Sequence, residues 1–385
     1  MNNENNMNHA LELEPSQFGK AAGLFGGLEH HISIQGVITG VLPGSIFLSP
    51  DGSSAVMMNP QGLFVGGRAD NTPFFEQMNG LLPKVLLPRI AARGRRDYVL
   101  FYPSDEEWAG ALSVMMRDLL PMRSGRMTFS HTLEHVGTSL EAPLVPVDGD
   151  FLARRDIAGL DEVLSEIAGA WPSLDAFIEQ GFGCAALQPA DGGWTLISWC
   201  LTDWVVGTEC EFGIFTEERF RRSGWAVKTA SGALTLAKLR GMTRAGWQCW
   251  SSNIGSSKTA LSAGFRLAAD FPVLFGWCHP LNNLLVNGNH YMLGDASYGV
   301  HKDYARAAWS YAQALDQGWD WSGDAALYWN AACMFYKTGD VKQARHFYKQ
   351  AVDKGWRHYG QPHYHPFVYR ETDSESIARM LGRAE

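Results

Sequence analysis

The segment Glu209–Leu239 constrains the fold more than any other part of the chain, because it predicts a strand, a tight turn and a helix in direct succession. Alternating side chains predict the strand at Glu209–Phe215, and the helix is predicted at Gly224–Leu239. Small and apolar residues recur in this helix at helical spacing, at Ala226, Ala230, Ala233, Leu234 and Ala237. Such a stripe faces a sheet, so the chain is predicted to have an α/β fold.

The turn between that strand and that helix has the composition of an anion site. It reads Arg221-Arg-Ser-Gly224-Trp-Ala226. The first N–H groups of a helix have no internal acceptor and carry the positive end of the helix dipole. Gly224 lets the backbone approach a ligand closely, Ala226 keeps the first turn slim, and Arg221 and Arg222 add charged donors. The turn is therefore predicted to hold a pyrophosphate.

A second strand and helix follow the first pair. The strand is predicted at Trp247–Ser251, Asn253 comes next, and the helix Ser256–Ala263 ends at Gly264-Phe265. This series, together with the turn before it, resembles the GNAT superfamily of acyl-CoA N-acyltransferases. The resemblance covers residues 20–278 and is closer to the branch that includes zwittermicin A resistance acetyltransferases, which has a long N-terminal half. Further matches to that branch are Gly36-Val37 with Gly40, Phe64–Gly67 with Asn71 and Phe74, Tyr102–Trp108, Trp171 with Ser173 and Phe177, and Gly181–Gly183.

The resemblance implies a GNAT fold with a splayed mixed β-sheet. It implies a divergent GNAT-like N-terminal half at residues 20–145 and an acyl-CoA-binding GNAT domain at residues 151–278. The stretch Glu141–Asp150 between them carries two prolines and several turn residues, so it is predicted to be a linker or a crossover. A C-terminal α-helical repeat region is predicted at residues 285–385.

The resemblance also implies acetyl-CoA, or another acyl-CoA, as co-substrate, with no permanently bound cofactor. In this interpretation the backbone at Phe215 meets the pantetheine amides where two parallel strands splay apart. The turn holds the pyrophosphate, and Asn253 lines the thioester channel. The residues implied to bind acyl-CoA are Phe215, Arg221, Arg222, Ser223, Gly224, Trp225, Ala226, Asn253 and Ser256.

Acylation of an amine requires a base, because an alkyl ammonium with a pKa near 10 is a poor nucleophile at pH 7. Glu209 and Glu211 lie two residues apart on the predicted strand and so face the same side, opposite Phe212 and Ile214. Glu211 is the favoured base, acting through a water, and Glu209 is the second candidate. The alternative is that one or both are ordinary strand carboxylates paired with an arginine.

The chain departs from many GNAT enzymes at Ala260, where a tyrosine often protonates the departing thiolate. A thiol pKa near 8.5 makes that proton less critical, and Ser256 or Ser257 is a candidate to assist. The departure also supports a rival hypothesis, in which the protein is a scaffold that kept the fold and lost the chemistry.

The favoured function is an N-acyltransferase that moves an acyl group, preferentially acetyl, to an amine of a small molecule or peptide. A second hypothesis concerns the repeat in the tail, where the block beginning at Asp303 aligns with the block beginning at Asp340 and both end in Asp-x-Gly-Trp, at Trp319 and Trp356. The blocks resemble tetratricopeptide repeats. Residues 285–385 are then either a stabilising cap or a groove for a protein partner, whose amine would receive a longer acyl chain.

Composition excludes several other classes of function. The net charge of −8 argues against nucleic acid as a partner, and no apolar run is long enough to span a membrane. The N-terminus lacks the features of a signal peptide, and none of the six cysteines forms a Cys-x-x-Cys pair. These features predict a cytoplasmic protein with reduced cysteines.

The remaining predictions concern local structure. The alternating stretches His31–Val41, Ser45–Leu48, Ala55–Met58 and Leu63–Gly66 predict a β-meander. Helices are predicted at Pro73–Ile90, at Ser104–Leu120 with Ser104 and Glu107 as a capping box, and at Leu152–Trp171. His131 and His135 are predicted to share one helical face, a spacing that suits a metal, but no third ligand is near and no metal site is predicted.

Overall fold

A computed structural model describes residues 9–103, 106–294, 300–316, 325–357 and 368–382. The chain forms two compact units. The first comprises Met1–Arg117 and Arg123–Phe275, and the second comprises Asp118–Met122 and Gly276–Glu385. No helix in the described residues is long and apolar enough to cross a bilayer.

The N-terminal half of the first unit is a meander followed by a parallel strand. Its elements are β1 (Leu11–Glu12), α1 (Ile32–Ile38), β2 (Ser45–Leu48), β3 (Ser54–Met58), β4 (Leu63–Gly67), α2 (Thr72–Leu81), α3 (Leu87–Ala92), β5 (Asp97–Phe101), α4 (Trp108–Met115) and β6 (Met122–Thr132). Strands β2, β3 and β4 are antiparallel neighbours, whereas β5 runs parallel to β4. The three strands predicted at 45–66 are confirmed.

The second half of this unit repeats the meander, the parallel strand and the final strand of the first half, and has additional elements before its meander. Its elements are β7 (Leu144–Pro146), α5 (Gly149–Leu152), β8 (Ile157–Ala158), α6 (Leu160–Ala170), α7 (Leu174–Gln180), β9 (Gly183–Ala190), β10 (Gly193–Val206), β11 (Glu209–Thr216), α8 (Trp225–Leu239), β12 (Arg244–Trp250), α9 (Ile254–Ser262) and β13 (Arg266–Trp277). The meander β9–β10–β11 and the parallel strand β12 match β2–β3–β4 and β5. The predicted α/β fold with a mixed sheet is confirmed, and the meander and parallel strand of the N-terminal half match those of the second half.

The two halves share one continuous sheet by exchanging their last strands. The strand order is β1-β2-β3-β4-β5-β13-β6-β12-β11-β10-β9-β7. Strand β6, which ends the first half, pairs antiparallel with β12 of the second. Strand β13, which ends the second half, lies beside β5 of the first. In each half, therefore, the strand beside the parallel strand β5 or β12 comes from the other half.

Helix α8 packs its small residues on one face of this sheet. Ala230, Ala233 and Ala237 are fully buried against Cys210 and Phe212 of β11. A row of alanines permits this close approach, so the stripe read from the sequence has the predicted role. The opposite face of β11 carries Glu209 and Glu211, as the two-residue period requires.

Two predicted elements in the N-terminal half are wrong. The stretch His31–Val41 contains helix α1 (Ile32–Ile38) rather than a strand, because its buried residues fit a helical face as well as an alternating one. His131 lies at the end of β6 and His135 in the turn after it, so they do not share a helical face. Strand β6 was not predicted, since its sequence is largely polar and its partner β12 lies more than a hundred residues away.

Three further boundaries differ from the predictions. The helix predicted at Leu152–Trp171 is interrupted by β8, and α6 begins after Gly159, whose φ of 91° favours glycine. The predicted linker contains strand β7. Helix α4 is shorter than the predicted Ser104–Leu120, and Ser104 itself lies outside the described residues.

The second unit contains helices α10 (Pro280–Leu293), α11 (Tyr304–Asp316), α12 (Ala325–Lys337), α13 (Val341–Asp353) and α14 (Ser374–Leu381). The repeat positions Ala307, Ala314, Ala344 and Ala351 are fully buried where these helices pack. Trp356 stacks on Trp329, with ring centroids 5.3 Å apart. The unit therefore has its own hydrophobic core. Trp319, which closes the first repeat block, lies outside the described residues.

Candidate acyl-donor site and buried base

Strands β11 and β12 separate halfway along their length. Only the first part of each strand is paired with the other strand: residues Glu209–Phe212 of β11 lie parallel to residues Arg244–Trp247 of β12. Beyond this point β11 continues to Thr216 beside β10, and β12 continues to Trp250 beside β6. The facing backbone edges beyond Phe212 do not pair with each other, and they offer hydrogen-bonding groups to a ligand inserted between the strands.

The turn after β11 presents an uncapped helix terminus. Helix α8 begins at Trp225, and no side chain in the described residues caps its first N–H groups. Gly224 has a φ of 81° and is exposed, and a Cβ built on it would meet nothing within 4 Å. Arg221 Nε donates to the carbonyl oxygen of Thr216 at 3.1 Å, which ties the turn to the strand. This geometry fits the predicted anion site.

A pocket of about 610 Å3 lies at this terminus. Predicted acyl-CoA-binding residues that line it are Phe215, Arg221, Arg222, Gly224, Trp225, Ala226, Asn253 and Ser256. Ser223 does not line it. Lys258, which the sequence analysis missed, also lines the pocket and adds a positive charge. Its position on the predicted helix after Asn253, two residues beyond Ser256, was the available signal.

The two predicted polar residues of α9 also have structural roles. Asn253 caps the helix, because its Oδ1 accepts the Ser256 N–H at 3.0 Å. Ser256 Oγ accepts the indole N–H of Trp247 at 3.0 Å and still borders the pocket. Ser257 instead donates to the carbonyl of Ile254 in its own helix, so Ser256 is better placed than Ser257 to meet a departing thiol.

The two candidate bases have different environments. Glu211 is only 3% exposed, its Oε1 has no hydrogen-bond partner in the described residues, and burial raises its pKa to about 8 despite the charge of Arg126. Glu209 is partly exposed and forms an ion pair with Arg244. The alternative of an arginine-paired strand carboxylate therefore holds for Glu209, and Glu211 keeps the features of a base.

The equivalent position in the N-terminal half is closed. Helix α2 is capped by Asn71, which accepts the Phe74 N–H at 3.4 Å, and Pro73 supplies no N–H in its first turn. The carboxylate of Asp51 lies 3.3 Å from the Asn71 amide nitrogen and disfavours an anion. A Cβ at Gly66 would lie 2.3 Å from the carbonyl oxygen of Leu24, so a neighbouring segment already covers β4. Only the second half thus offers an open helix terminus at this position within the described residues.

Gly246 on β12 gives a direct test of the position of Glu211. A Cβ at this glycine would lie 2.2 Å from Glu211 Oε2. If Glu211 is the base, as its sequence position predicts, we expect Gly246→Ala to displace its carboxyl group and lower turnover by about tenfold or more, since a small misplacement of a reacting group is costly. CoA affinity, measured by calorimetry, should stay within twofold. Gly110→Ala, at a site with nothing within 4 Å, is the control, and equal turnover in the two variants would contradict the expectation.

Residues 22–274, more than half of the chain, match the family model of GNAT acetyltransferases. No curated protein matches the chain significantly. Similar solved structures include a GCN5-related N-acetyltransferase-like protein from Streptococcus suis, with 15% identity, 68% of this chain and 98% of that chain covered, and a TM-score of 0.46. A GCN5-related N-acetyltransferase from Sphaerobacter thermophilus has 14% identity, coverage of 70% and 96%, and a TM-score of 0.42. A tandem GNAT protein from the clavulanic acid biosynthesis pathway has 10% identity, coverage of 71% and 99%, and a TM-score of 0.41. The match to the family model shows that this chain belongs to the GNAT acetyltransferase family.

Proposed function

We propose that the protein transfers an acetyl group from acetyl-CoA to an amine of a small molecule or peptide. The observation that carries this proposal is the exposed, uncapped terminus of α8 at the gap between β11 and β12. In this assignment the N–H groups at Trp225 and Ala226, with Arg221 and Arg222, bind the pyrophosphate. The pantetheine arm enters the gap beside Phe215, and Asn253 and Ser256 border its far side.

The chemistry follows from the position of Glu211. The ionised carboxylate removes a proton from the acceptor ammonium, directly or through a water, and the neutral amine then attacks the thioester carbonyl. A C–N bond forms, the attacking nitrogen loses its second proton to solvent or to the departing sulfur, and the C–S bond breaks. The CoA sulfur leaves as a thiolate that takes up a proton, and Glu211 returns its own proton to solvent, so the reaction releases one proton overall. Since a thiol has a pKa near 8.5, solvent can supply the proton that the thiolate takes up, and Ser256 is a candidate to relay it.

The acyl group and the branch are part of the same proposal. We assign the chain to the zwittermicin A resistance-type branch, on the matches in its N-terminal half. We assign acetyl as the acyl group, with a cytoplasmic location where acetyl-CoA is available. The tetratricopeptide-like tail at 285–385 is assigned as a stabilising cap, because its repeat alanines are buried in the hydrophobic core of the tail and are not exposed to bind a partner.

The test measures release of the CoA thiol with a thiol-reactive dye. The purified chain is incubated with an acyl-CoA series from acetyl to decanoyl and with a panel of amines, and CoA binding is measured by calorimetry. Acetyl-CoA should give the fastest amine-dependent release. Absence of both CoA binding and thiol release would exclude the enzyme and leave the scaffold hypothesis. Preference for a long acyl chain would support the peptide acylation hypothesis.

Truncation of the tail separates the two roles proposed for it. Asn283 and Asn287 of α10 donate to the carbonyls of Leu119 and Leu120, so the chain should be ended after α10, at Gly294. We expect acetyl transfer to a small amine to stay within about threefold of the full chain, since the donor pocket and Glu211 lie in residues that are kept. A loss above thirtyfold with CoA affinity intact would instead favour a tail that presents the acceptor.

A further inference from the structure

Two carboxyl groups, those of Asp203 and Glu166, meet on the sheet face that also carries Glu211. A Cβ built on Gly213 of β11 would lie 2.5 Å from Asp203 Oδ1 and 3.3 Å from Glu166 Oε1. These two oxygens are therefore no more than about 6 Å apart, a range in which carboxyl groups influence each other strongly. Glu211 lies two residues before Gly213 on the same face of β11.

A β-bulge places Asp203 in this cluster. Thr202 pairs with Phe212 and Trp204 pairs with Glu211, so Asp203 is the extra residue of β10. A bulge changes the direction of a side chain, and bulges are frequent beside active sites. Oδ1 of Asp203 has no hydrogen-bond partner in the described residues.

If all three carboxyl groups, those of Glu166, Asp203 and Glu211, ionised, their charge would exceed the positive charge near them, and their raised pKa values oppose that ionisation. Burial, together with Glu166 and Glu211, raises the pKa of Asp203 well above its usual range, and burial raises the pKa of Glu166. Arg126 of β6 is the nearby cation that favours ionisation of both Asp203 and Glu211. With all four groups charged, the sum is −2.

Other polar groups near this face add little positive charge. Gln248 of β12 is neutral and hydrogen-bonds Glu211. His31, which contacts Gln248, has a pKa well below its usual value because it is buried. Arg244 also favours ionisation of Glu211, but it is already paired with Glu209.

Independent observations indicate that a ligand completes this cluster. Only 3% of Glu211 is exposed to solvent, and its Oε1 has no hydrogen-bond partner in the described part of the chain. The indole N–H of Trp199, which is 4% exposed, likewise has no partner among the residues that the structure describes, so it could donate to an acceptor atom of a ligand. The Trp199 ring stacks on Phe215 with centroids 5.9 Å apart. Because Phe215 borders the donor pocket, the cluster lies beside the place where the acyl group would arrive.

We propose, on the basis of the function proposed above, that the acceptor is a dication whose second ammonium group binds Asp203 and Glu166 while its reacting amine faces Glu211. Diamines and basic amino sugars belong to this class. An ammonium group suits the site better than a metal ion, since no group of three or more His, Cys, Asp or Glu side chains among the described residues has the arrangement to hold one. Ammonium binding ionises the carboxyl groups, so it releases protons.

The test compares acceptors of equal length and different charge. Diamines with two to eight methylene groups are compared with the corresponding amino alcohols and amino acids, both in turnover and in calorimetric binding to CoA-saturated protein. We expect at least one diamine to exceed its amino alcohol about 100-fold in kcat/KM and to release protons on binding, seen as a dependence of the heat on buffer. The amino acid should be the poorest of the three.

Two variants locate the second ammonium group. Asp203→Asn and Glu166→Gln should each reduce the ratio of diamine to amino alcohol to about tenfold or less, mainly by raising the KM for the diamine, and should reduce proton release. Glu162→Gln, exposed on the same helix α6, is the control that keeps the ratio. CoA affinity in each variant shows that the fold is retained.

The outcomes separate this inference from the proposed function. If amino alcohols and diamines bind and react equally, or if the variants lower both equally, the second ammonium site is wrong although acyl transfer stands. If no diamine binds the CoA-saturated protein better than its amino alcohol, the inference is likewise overturned. Absence of CoA binding would overturn the proposed function itself.

Discussion

We expect the Gly224→Asp protein to bind CoA at least about 100-fold more weakly than the parent protein. The backbone at Gly224 has a φ of 81°, and its open side faces solvent at the terminus of α8. A carboxylate there would lie where the proposed pyrophosphate binds, and placing like charges beside each other at a binding interface costs up to several kcal/mol. Calorimetric titration with CoA measures the loss.

Gly224→Asn is the matched control for this substitution. Asparagine has nearly the shape of aspartate and tolerates the same left-handed conformation, but it is neutral. The Asn variant should lose no more than about tenfold in affinity, so the difference between the two variants reports charge alone. If both bind CoA as tightly as the parent protein, the terminus of α8 does not hold the pyrophosphate.

Glu211→Gln should lower turnover by about 100-fold or more while CoA affinity changes little, because a general base contributes in this range. Burial raises the pKa of Glu211 to about 8, so the carboxyl group is mostly protonated at pH 7. In the parent protein, kcat/KM should therefore rise with pH and show an inflection near 8. That inflection should be missing in the variant.

Stability provides the check that Glu211→Gln remains folded. The pKa of Glu211 is about 8 in the folded protein and 4.5 in its unperturbed state. Below pH 4.5 the carboxyl group is neutral in both states, so it does not lower the free energy of unfolding. As the pH rises from 4.5 toward 8, the unfolded state releases the proton more readily than the folded state, and the free energy of unfolding falls. The glutamine variant should therefore melt a few degrees higher than the parent protein at pH 8 and show little of this gain at pH 4. Full activity in this variant, with a large loss in Glu209→Gln, would transfer the role of base to Glu209.

Much of the fold follows from local pattern. The alanine stripe of α8 and the alternation in β11 each specify one period, and both were predicted within a residue or two. Helix α1 and strand β6 were not. The seven residues of α1 are too few, and their apolar side chains too evenly spread, to distinguish a helical period from the alternation of a strand. Strand β6 is stabilised by pairing with the distant strand β12, and its own composition does not predict a strand.

The candidate site was predictable where it is contiguous in sequence. The turn at Arg221–Ala226 leads into α8, and Asn253 and Ser256 lie at the start of α9. The two helices begin at the same gap in the sheet, so these residues line one pocket. Asp203 and Glu166 could not be predicted, since a bulge directs one side chain and the packing of α6 brings the other. The difference between Glu209 and Glu211 also required tertiary structure, because only the fold shows which carboxylate meets Arg244.

The exchange of terminal strands has a consequence for how the chain reaches its native state. Strand β5 obtains its inner neighbour from Arg266–Trp277, so on the ribosome the first half keeps an open sheet edge until nearly all of the first unit has been synthesised. Contacts this distant in sequence slow folding, and open edges invite association with other nascent chains. Neither half is then an autonomous folding module, and a gene split between them would yield native protein only by complementation.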